Sequence, residues 1–214
     1  MIYVALGDSI TARRPGVVGY CQLLEERLDE LAISKLVNSG IGSLDTNGLL
    51  KRFDELCPAW RPQLVTLMIG ANDHVIDPNQ TEPRVPLVRY EANLRTMIHD
   101  ILRLEHGHSF NHGRPQLILM TPPFITSCKK GEADLNEARL LDYCYVVKKL
   151  CVEYDLSCVD IHENTAAAAQ WDEQLWAKEF TQNQDGVHPN SATHAIIFPH
   201  VFAALKRAVE QSAN

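Results

Sequence analysis

The sequence lacks several features that would assign it to common classes of protein. None of its six cysteines forms a Cys-x-x-Cys pair, which argues against a zinc ribbon or a thioredoxin-like motif. No apolar run reaches the roughly 20 residues that a membrane-spanning helix needs. The formal net charge is −7 and no basic run occurs, so nucleic-acid binding is not expected. No signal-peptide pattern opens the chain, and the scattered cysteines favour reduced thiols in a cytoplasmic protein.

What is present indicates one large α/β domain spanning residues 1–214. The chain has 214 residues, of which 45% are hydrophobic, enough for a substantial core. Short apolar runs predict strands at residues 2–6, 35–38, 64–69, 117–120 and 157–161. Because helical patterns separate these runs, we expect a five-stranded parallel sheet in a three-layer α/β/α sandwich. The expected strand order is 2-1-3-4-5.

Apolar residues at helical spacing predict the elements between and after the strands. The predicted helices cover residues 20–31, 46–57, 90–102, 135–154, 163–180 and 191–209. Pro58 helps to end the second helix, and Pro199 predicts a kink in the last one. The face of the fourth helix that we expect to be buried consists of Leu135, Ala138, Leu141, Cys144, Val147, Cys151 and Tyr154.

The first predicted strand ends in Gly7-Asp8-Ser9-Ile10-Thr11, which places a serine hydroxyl at the carboxyl edge of the sheet. Open α/β sheets bind their ligands at that edge. Taken alone, the segment is more often a simple turn, because Gly, Asp and Ser favour turns and helix caps. A nucleophilic Ser9 needs a base to accept its proton. We expect Asp8 to hold the turn by accepting hydrogen bonds from backbone N–H groups.

A base and a group to orient it occur together in Asp185-Gly186-Val187-His188-Pro189. A carboxylate and an imidazole three residues apart in one loop can act as such a pair. Pro189 suits the first turn of the last helix, where its missing N–H would have no partner. We therefore predict Ser9 as nucleophile, His188 as base and Asp185 as the residue that orients the imidazole.

Two further polar segments follow the second and third predicted strands, namely Asn38-Ser39-Gly40-Ile41-Gly42-Ser43 and Gly70-Ala71-Asn72-Asp73. The carboxyl ends of parallel strands share one edge, so both segments should lie near Ser9. The backbone N–H of Ser9, an N–H from the 40–43 turn and the Asn72 amide are candidate donors to an oxyanion. Asp73 is expected to be structural.

These four segments resemble those of the GDSL family of esterases and lipases, within the SGNH hydrolase superfamily. They occur in the family's order and span nearly the whole chain. The resemblance implies a flavodoxin-like fold, serine-dependent hydrolysis of carboxylic esters, a small-molecule ester substrate, and no metal or other cofactor. A weaker resemblance, through Val85-Pro86-Leu87, Tyr90 and Thr121-Pro122-Pro123, is to the esterases that hydrolyse isoamyl acetate.

One position departs from the family pattern. The second segment usually reads Asn-x-Gly-x-x-Gly, and the last glycine donates its N–H to the oxyanion. In this sequence Ser43 occupies that position and a glycine, Gly42, precedes it. A backbone N–H does not require glycine, so Ser43 and Gly42 are both candidates for this donor.

The favoured function is a serine esterase that cleaves small or medium carboxylic esters through an acyl-enzyme. Acetylated sugars, lysophospholipids, thioesters and simple acyl esters are all compatible substrates. A non-catalytic binding domain on the same scaffold is a remote alternative. A flavodoxin-like mononucleotide binder is disfavoured, since no Gly-x-Gly-x-x-Gly follows the first strand.

Three other groups of residues have a functional and a simpler interpretation. His106, His108 and His112 have the chemistry of metal ligands, but a solvated loop is the favoured interpretation. Lys129-Lys130 is compatible with an anionic leaving group and is more often a solvated pair. The aromatic side chains Trp171, Trp176 and Phe180 are candidates for an acyl pocket, although aromatics at helical spacing usually belong to the core.

Overall fold

The strands predicted from the apolar runs are present in the computed structural model, which describes residues 1–105, 113–126 and 136–212. They are β1 (Ile2–Gly7), β2 (Lys35–Gly40), β3 (Leu64–Met68), β4 (Gln116–Met120) and β5 (Ser157–Val159). All neighbours pair in parallel in the order β2-β1-β3-β4-β5, which confirms the predicted order. Gly7 at the end of β1 is level with Gly40 of β2 and Met68 of β3. The loops after these three strands therefore start side by side.

Helices connect the strands and cover both faces of the sheet. They are α1 (Tyr20–Glu25), α2 (Thr46–Lys51), α3 (Phe53–Leu56), α4 (Leu87–Leu102), α5 (Glu137–Glu153), α6 (Ile161–Ala168), α7 (Glu173–Leu175) and α8 (Ser191–Ser212). Short 3-10 turns lie at Leu28–Leu31, Pro58–Trp60 and Gln182–Gln184, and a π-helical turn lies at Trp176–Phe180. α8 includes Pro199, and the kink expected at this proline stays a prediction.

Successive residues of β1 serve two separate cores, because side chains alternate between the faces of a strand. Val4 and Leu6 pack with residues of α2, α3 and α4 on one face. Tyr3 and Ala5 pack with α1 and α8 on the other face. Both cores contain strand residues that are almost fully buried, as expected for a parallel sheet between helical layers. The three-layer α/β/α prediction is confirmed.

Three predicted helices are interrupted. The helix expected at 20–31 ends at Glu25, the one at 46–57 breaks at Arg52, and the one at 163–180 is divided after Ala168. Apolar spacing continues across the second break because Leu49 and Phe53, on either side of it, enter the same core. The third is divided by Gln170 and Trp171, which have left-handed φ angles of 54° and 59°. Spacing predicts which residues are buried, but the breaks depend on tertiary packing.

The expected buried face of α5 is partly wrong. Leu141 is 39% exposed, whereas its neighbour Leu140 and Tyr143 are buried. Cys144, Val147 and Cys151 are buried as predicted. The buried face is thus shifted around the helix, because α5 lies near the sheet edge and contributes residues to both cores. Leu135 lies outside the described residues.

Four cysteine thiols, those of Cys21, Cys57, Cys144 and Cys151, are buried and free, and Cys158 is free and exposed. The histidine loop with His106, His108 and His112 lies outside the described residues, as do Cys128 and Lys129-Lys130. Across the part of the chain that the structure describes, no helix combines the length and apolarity needed to cross a bilayer.

The ends of β1 and β2 are glycines because other backbone segments approach them closely. A Cβ on Gly40 would lie 2.3 Å from the backbone nitrogen of Ala12, and a Cβ on Gly7 would lie 2.7 Å from the carbonyl oxygen of Met68. Real Cβ atoms do not tolerate such distances. The segment that follows Ser9 can therefore lie directly against the end of β2 only if residue 40 has no side chain.

We expect Gly40→Ala to destabilise the protein by about 1–3 kcal/mol, because the added methyl group overlaps backbone that cannot rotate away. Gly42→Ala is the matched control: no atom lies within 4 Å of its added Cβ, and its stability should stay within about 0.5 kcal/mol of wild type. Urea unfolding followed by circular dichroism measures both values. Equal stability of the two variants would contradict this account of the sheet edge.

Candidate active site

Ser9 lies in a tight turn directly after β1. The Asp8 side chain accepts a hydrogen bond from the Ile10 N–H at 2.9 Å, and the Asp8 carbonyl accepts one from the Ala12 N–H at 3.0 Å. The expectation that Asp8 holds this turn is confirmed. Ser9 itself is only 9% exposed. The hydroxyl is therefore fixed at the carboxyl edge of the sheet with limited access to water.

In the structure, two hydrogen bonds connect Ser9 to His188 and His188 to Asp185. His188 Nε2 lies 3.1 Å from Ser9 Oγ, and His188 Nδ1 lies 2.7 Å from Asp185 Oδ2. The second carboxylate oxygen, Oδ1, accepts the backbone N–H groups of Val187 and His188, each at 2.8 Å. Asp185 thereby holds the imidazole and the backbone of its own loop together.

The pKa of Asp185 is set by opposing effects. Burial raises it, while hydrogen bonds from the His188 ring and from the His188 and Val187 N–H groups lower it. The hydrogen bonds prevail, and the pKa of Asp185 lies below its usual value. The carboxylate is therefore ionised at neutral pH and is able to accept a hydrogen bond from the His188 Nδ1–H.

The prediction that Pro189 lies in the first turn of the last helix is wrong, although the helix begins at Ser191 as expected. Pro189 lies before α8 and pairs with Thr181 in an isolated antiparallel bridge. The helix is capped instead by Asn190, whose side-chain oxygen accepts the Thr193 N–H at 3.1 Å. An asparagine cap satisfies an N–H at the helix start directly, which explains why α8 begins one residue after it.

Asn72 follows β3 and its amide is held at both ends. Its Nδ2 donates to the Leu44 carbonyl at 3.0 Å, and its Oδ1 accepts from Arg84 Nη1 at 3.4 Å. Arg84 forms an ion pair with Asp77 at 2.7 Å. Since an amide nitrogen carries two hydrogens, this arrangement fixes the plane of the Asn72 amide while one donor remains for a ligand. No sequence pattern indicated a role for Arg84, because its contact with Asn72 depends on the course of the loop between them.

The turn after β2 distinguishes the two candidate donors, Gly42 and Ser43. Ser43 is exposed and has a left-handed φ of 61°, whereas Gly42 is not among the residues with positive φ. The left-handed conformation is the one in which glycine is normally preferred. Ser43 therefore has the left-handed conformation that glycine adopts most easily, which accounts for the glycine that the family pattern has at this position.

Asp73 connects the segment after β3 to the start of α2. Its Oδ1 accepts both the N–H and the hydroxyl of Thr46, and the Thr46 hydroxyl also accepts from Asn93 of α4 at 2.9 Å. Burial raises the pKa of Asp73 to about 7, against the hydrogen bonds from Thr46. Burial likewise raises the pKa of Asp8 to about 7, and the nearby Asp73 adds to this shift.

The three aromatic residues considered for an acyl pocket have different environments. Trp176 is fully buried and packs with Phe124 and Phe180, so it belongs to a core. Trp171 is 50% exposed, and its ring contacts that of Phe124 with centroids 6.3 Å apart. Only Trp171 of the three presents a large surface to solvent.

A parallel α/β/α sheet with a hydroxyl, an imidazole and a carboxylate in line at its carboxyl edge has the arrangement of a serine hydrolase. The model of the GDSL-like lipase/acylhydrolase family matches residues 5–196. The chain belongs to this family.

Individual relatives agree with this assignment. The chain is 32% identical over 210 residues to the acetylxylan esterase of Geobacillus stearothermophilus, covering 90% of this chain and 88% of the relative. It is also 32% identical over 216 residues to the isoamyl acetate-hydrolyzing esterase 1 homolog of Mus musculus, covering 95% of this chain and 80% of the relative. The chain is a carboxylic ester hydrolase of the GDSL type, as the sequence predicted.

A solved structure of the Geobacillus acetylxylan esterase has a similar fold. The two superpose with a TM-score of 0.74 at 25% sequence identity, covering 95% of this chain and 93% of that chain. Three other structures of that esterase are described as catalytic mutants, in which a serine, an aspartate and a histidine are each replaced by alanine.

The raised pKa of Asp73 predicts a pH dependence of stability. The folded protein retains this proton up to a pH of about 7, whereas an unfolded aspartate loses it near a pKa of about 3.9. Between these values the folded state binds more protons, so the free energy of unfolding falls as pH rises. We expect Asp73→Asn to reduce this slope by up to about 1.4 kcal/mol per pH unit.

Urea unfolding at a series of pH values from about 4 to 8 measures the slope. Asp54→Asn is the control, because Asp54 is exposed in α3. If Asp73→Asn and wild type lose stability in parallel over this range, Asp73 does not hold the proton.

Proposed function

We propose that Ser9, His188 and Asp185 are the nucleophile, the base and the orienting residue of a serine esterase, and that residues 1–214 act as one hydrolase domain. The observation that carries the proposal is the pair of contacts made by the His188 ring, 3.1 Å to Ser9 Oγ and 2.7 Å to Asp185 Oδ2. The residue types of the alanine mutants of the Geobacillus esterase support it, and there too the aspartate is three positions before the histidine.

The proposed reaction proceeds through an acyl-enzyme. His188 Nε2 takes the proton of Ser9 as its Oγ attacks the ester carbonyl, and Asp185 stabilises the imidazolium through Nδ1–H. His188 then gives the proton to the departing alcohol. A water molecule, deprotonated by the same nitrogen, attacks the acyl group, and His188 returns that proton to Ser9 Oγ as the acid is released.

The backbone N–H groups of Ser9 and Ser43 and the second hydrogen of the Asn72 amide are the proposed donors to the oxyanion. The left-handed φ of 61° at Ser43 favours Ser43 over Gly42 as the second donor. These groups are useful because they are already oriented: Ser9 by the Asp8 turn and Asn72 by Leu44 and Arg84. Oriented donors stabilise the transition state without rearranging during the reaction.

Acetyl esters are the proposed substrates. Two relatives, each 32% identical to this chain, are named for the hydrolysis of acetyl esters, one on a xylan and one on isoamyl alcohol. Their alcohols differ greatly while the acyl group is shared. We therefore propose that the enzyme selects a short acyl group, and that acetylated carbohydrates and simple alkyl acetates are the substrates to compare.

We expect Ser9→Ala and His188→Ala to lose nearly all activity on 4-nitrophenyl acetate, and Asp185→Asn to lose less because the nucleophile and the base both remain. A fluorophosphonate probe should add one covalent mass to wild type and none to Ser9→Ala. Hydrolysis of 4-nitrophenyl octanoate should be slower than that of the acetate. Labelling that persists in Ser9→Ala, or full activity of His188→Ala, would overturn the proposed triad.

Asn72→Ala should lower kcat by about 100- to 1,000-fold with little change in KM, because the lost donor acts mainly on the charge of the transition state. Ser43→Gly is the matched variant: it keeps the backbone N–H and relieves the left-handed strain. Its kcat should stay near wild type, and its stability should be equal or higher. Steady-state kinetics and thermal unfolding test both, and an unchanged kcat in Asn72→Ala would exclude the amide as a donor.

A further inference from the structure

A π-helical turn supports the loop that carries Asp185 and His188. This turn, Trp176–Phe180, begins with a tryptophan whose side chain is fully buried. The Trp176 indole N–H donates to the carbonyl oxygen of Gly186 at 2.9 Å. Gly186 is buried between Asp185 and His188 and has a left-handed φ of 73°. The tryptophan therefore contacts the backbone at the centre of the acid–base loop.

Both polar groups of Gly186 are bonded to residues outside the loop. Its N–H donates to the hydroxyl oxygen of Thr181 at 3.0 Å, and that hydroxyl donates to the Ala177 carbonyl at 2.7 Å. Its carbonyl accepts a second hydrogen bond from the Thr126 N–H at 2.9 Å, besides the one from Trp176. Since buried backbone groups are costly to leave unpaired, these contacts fix the orientation of the backbone at Gly186.

Trp176 is itself held in place by aromatic packing. Its ring stacks on Phe180 at 5.9 Å between centroids with an interplanar angle of 10°, and meets the edge of Phe124 at 5.7 Å. The π-helical turn fits this arrangement, because such turns insert an additional residue and often occur at functional sites. The indole N–H is a rigid donor rather than a mobile one.

We propose that Trp176 and Thr181 are positioning residues for the acid–base pair. They act through Gly186, whose backbone direction determines where the Asp185 and His188 side chains begin. The inference rests on the proposed function of those two residues and deepens it. A displacement of about 1 Å in a reacting group can lower a rate by about 100-fold, so a small rotation at Gly186 would reduce turnover.

The first test replaces the indole donor. We expect Trp176→Phe to lower kcat on 4-nitrophenyl acetate by about 10-fold or more while KM changes less than about twofold, because a smaller aromatic ring remains in the core but the indole N–H is lost. Trp171→Phe is the matched control, since Trp171 packs on the same Phe124 ring from a half-exposed position. Its kcat should stay near wild type.

A second test does not depend on the large core side chain. Thr181→Val keeps the shape of the side chain but removes the oxygen that accepts the Gly186 N–H, and should lower kcat in the same way. Thr181→Ser keeps the oxygen and should restore kcat. In the double variant with Trp176→Phe and Thr181→Val, the two losses should be less than additive, because both act on one backbone unit.

A spectroscopic readout separates positioning from general loss of stability. The low-field proton resonance of the His188 Nδ1–H to Asp185 hydrogen bond should shift in Trp176→Phe and Thr181→Val, and stay unchanged in Trp171→Phe and Thr181→Ser. Wild-type kcat in both Trp176→Phe and Thr181→Val would overturn the inference, as would a loss in Thr181→Ser equal to that in Thr181→Val. Should His188→Ala instead remain active, the proposed triad itself would fail, which is a separate result.

Discussion

The contact between Ser9 and His188 joins residues 179 positions apart, and the arrangement of the site depends on it. It requires β1 to lie inside the sheet, so that Ser9 emerges beside the ends of β2 and β3. It also requires the end of the chain to return, which α8 does by packing against α1. The hydrophobic cores on the two faces of the sheet therefore supply the free energy that holds two distant polar side chains within hydrogen-bonding distance.

Three polar residues at the site support its geometry in ways that lower the stability of the fold. Asp8 and Asp73 are buried carboxyl groups with raised pKa values, and Ser43 has a backbone conformation that glycine prefers. Desolvation of the two carboxyl groups and backbone strain at Ser43 each reduce the free energy of unfolding. Asp8 orders the Ser9 turn, while Asp73 connects β3 to α2. All three lie at the carboxyl edge of the sheet, after β1, β3 and β2.

Much of the fold followed from local sequence patterns. The strands were predictable because each is a short apolar run between helical segments, and the polar segments at their ends are contiguous in sequence. The break at Arg52 was not predictable, because the apolar spacing continues across it. The break after Ala168 was not predictable either, because it depends on left-handed backbone at the residues that follow. The hydrogen bond from Arg84 to Asn72 and the contact of Trp176 with Gly186 were also not predictable. They are hydrogen bonds between segments whose proximity arises only after folding.

The bonding of Gly186 has a consequence for the energetics of the proton transfer that we propose for His188. Gly186 has its N–H and its carbonyl satisfied by protein groups, and the Asp185 carboxylate already accepts three N–H donors. When positive charge develops on an imidazole in such surroundings, the compensating dipoles are in place beforehand. A histidine in water must wait for solvent to reorient around the new charge, and that reorganisation contributes to the barrier. For the proposed base, His188, the reorganisation takes place once, when the chain folds, and need not be repeated in each turnover.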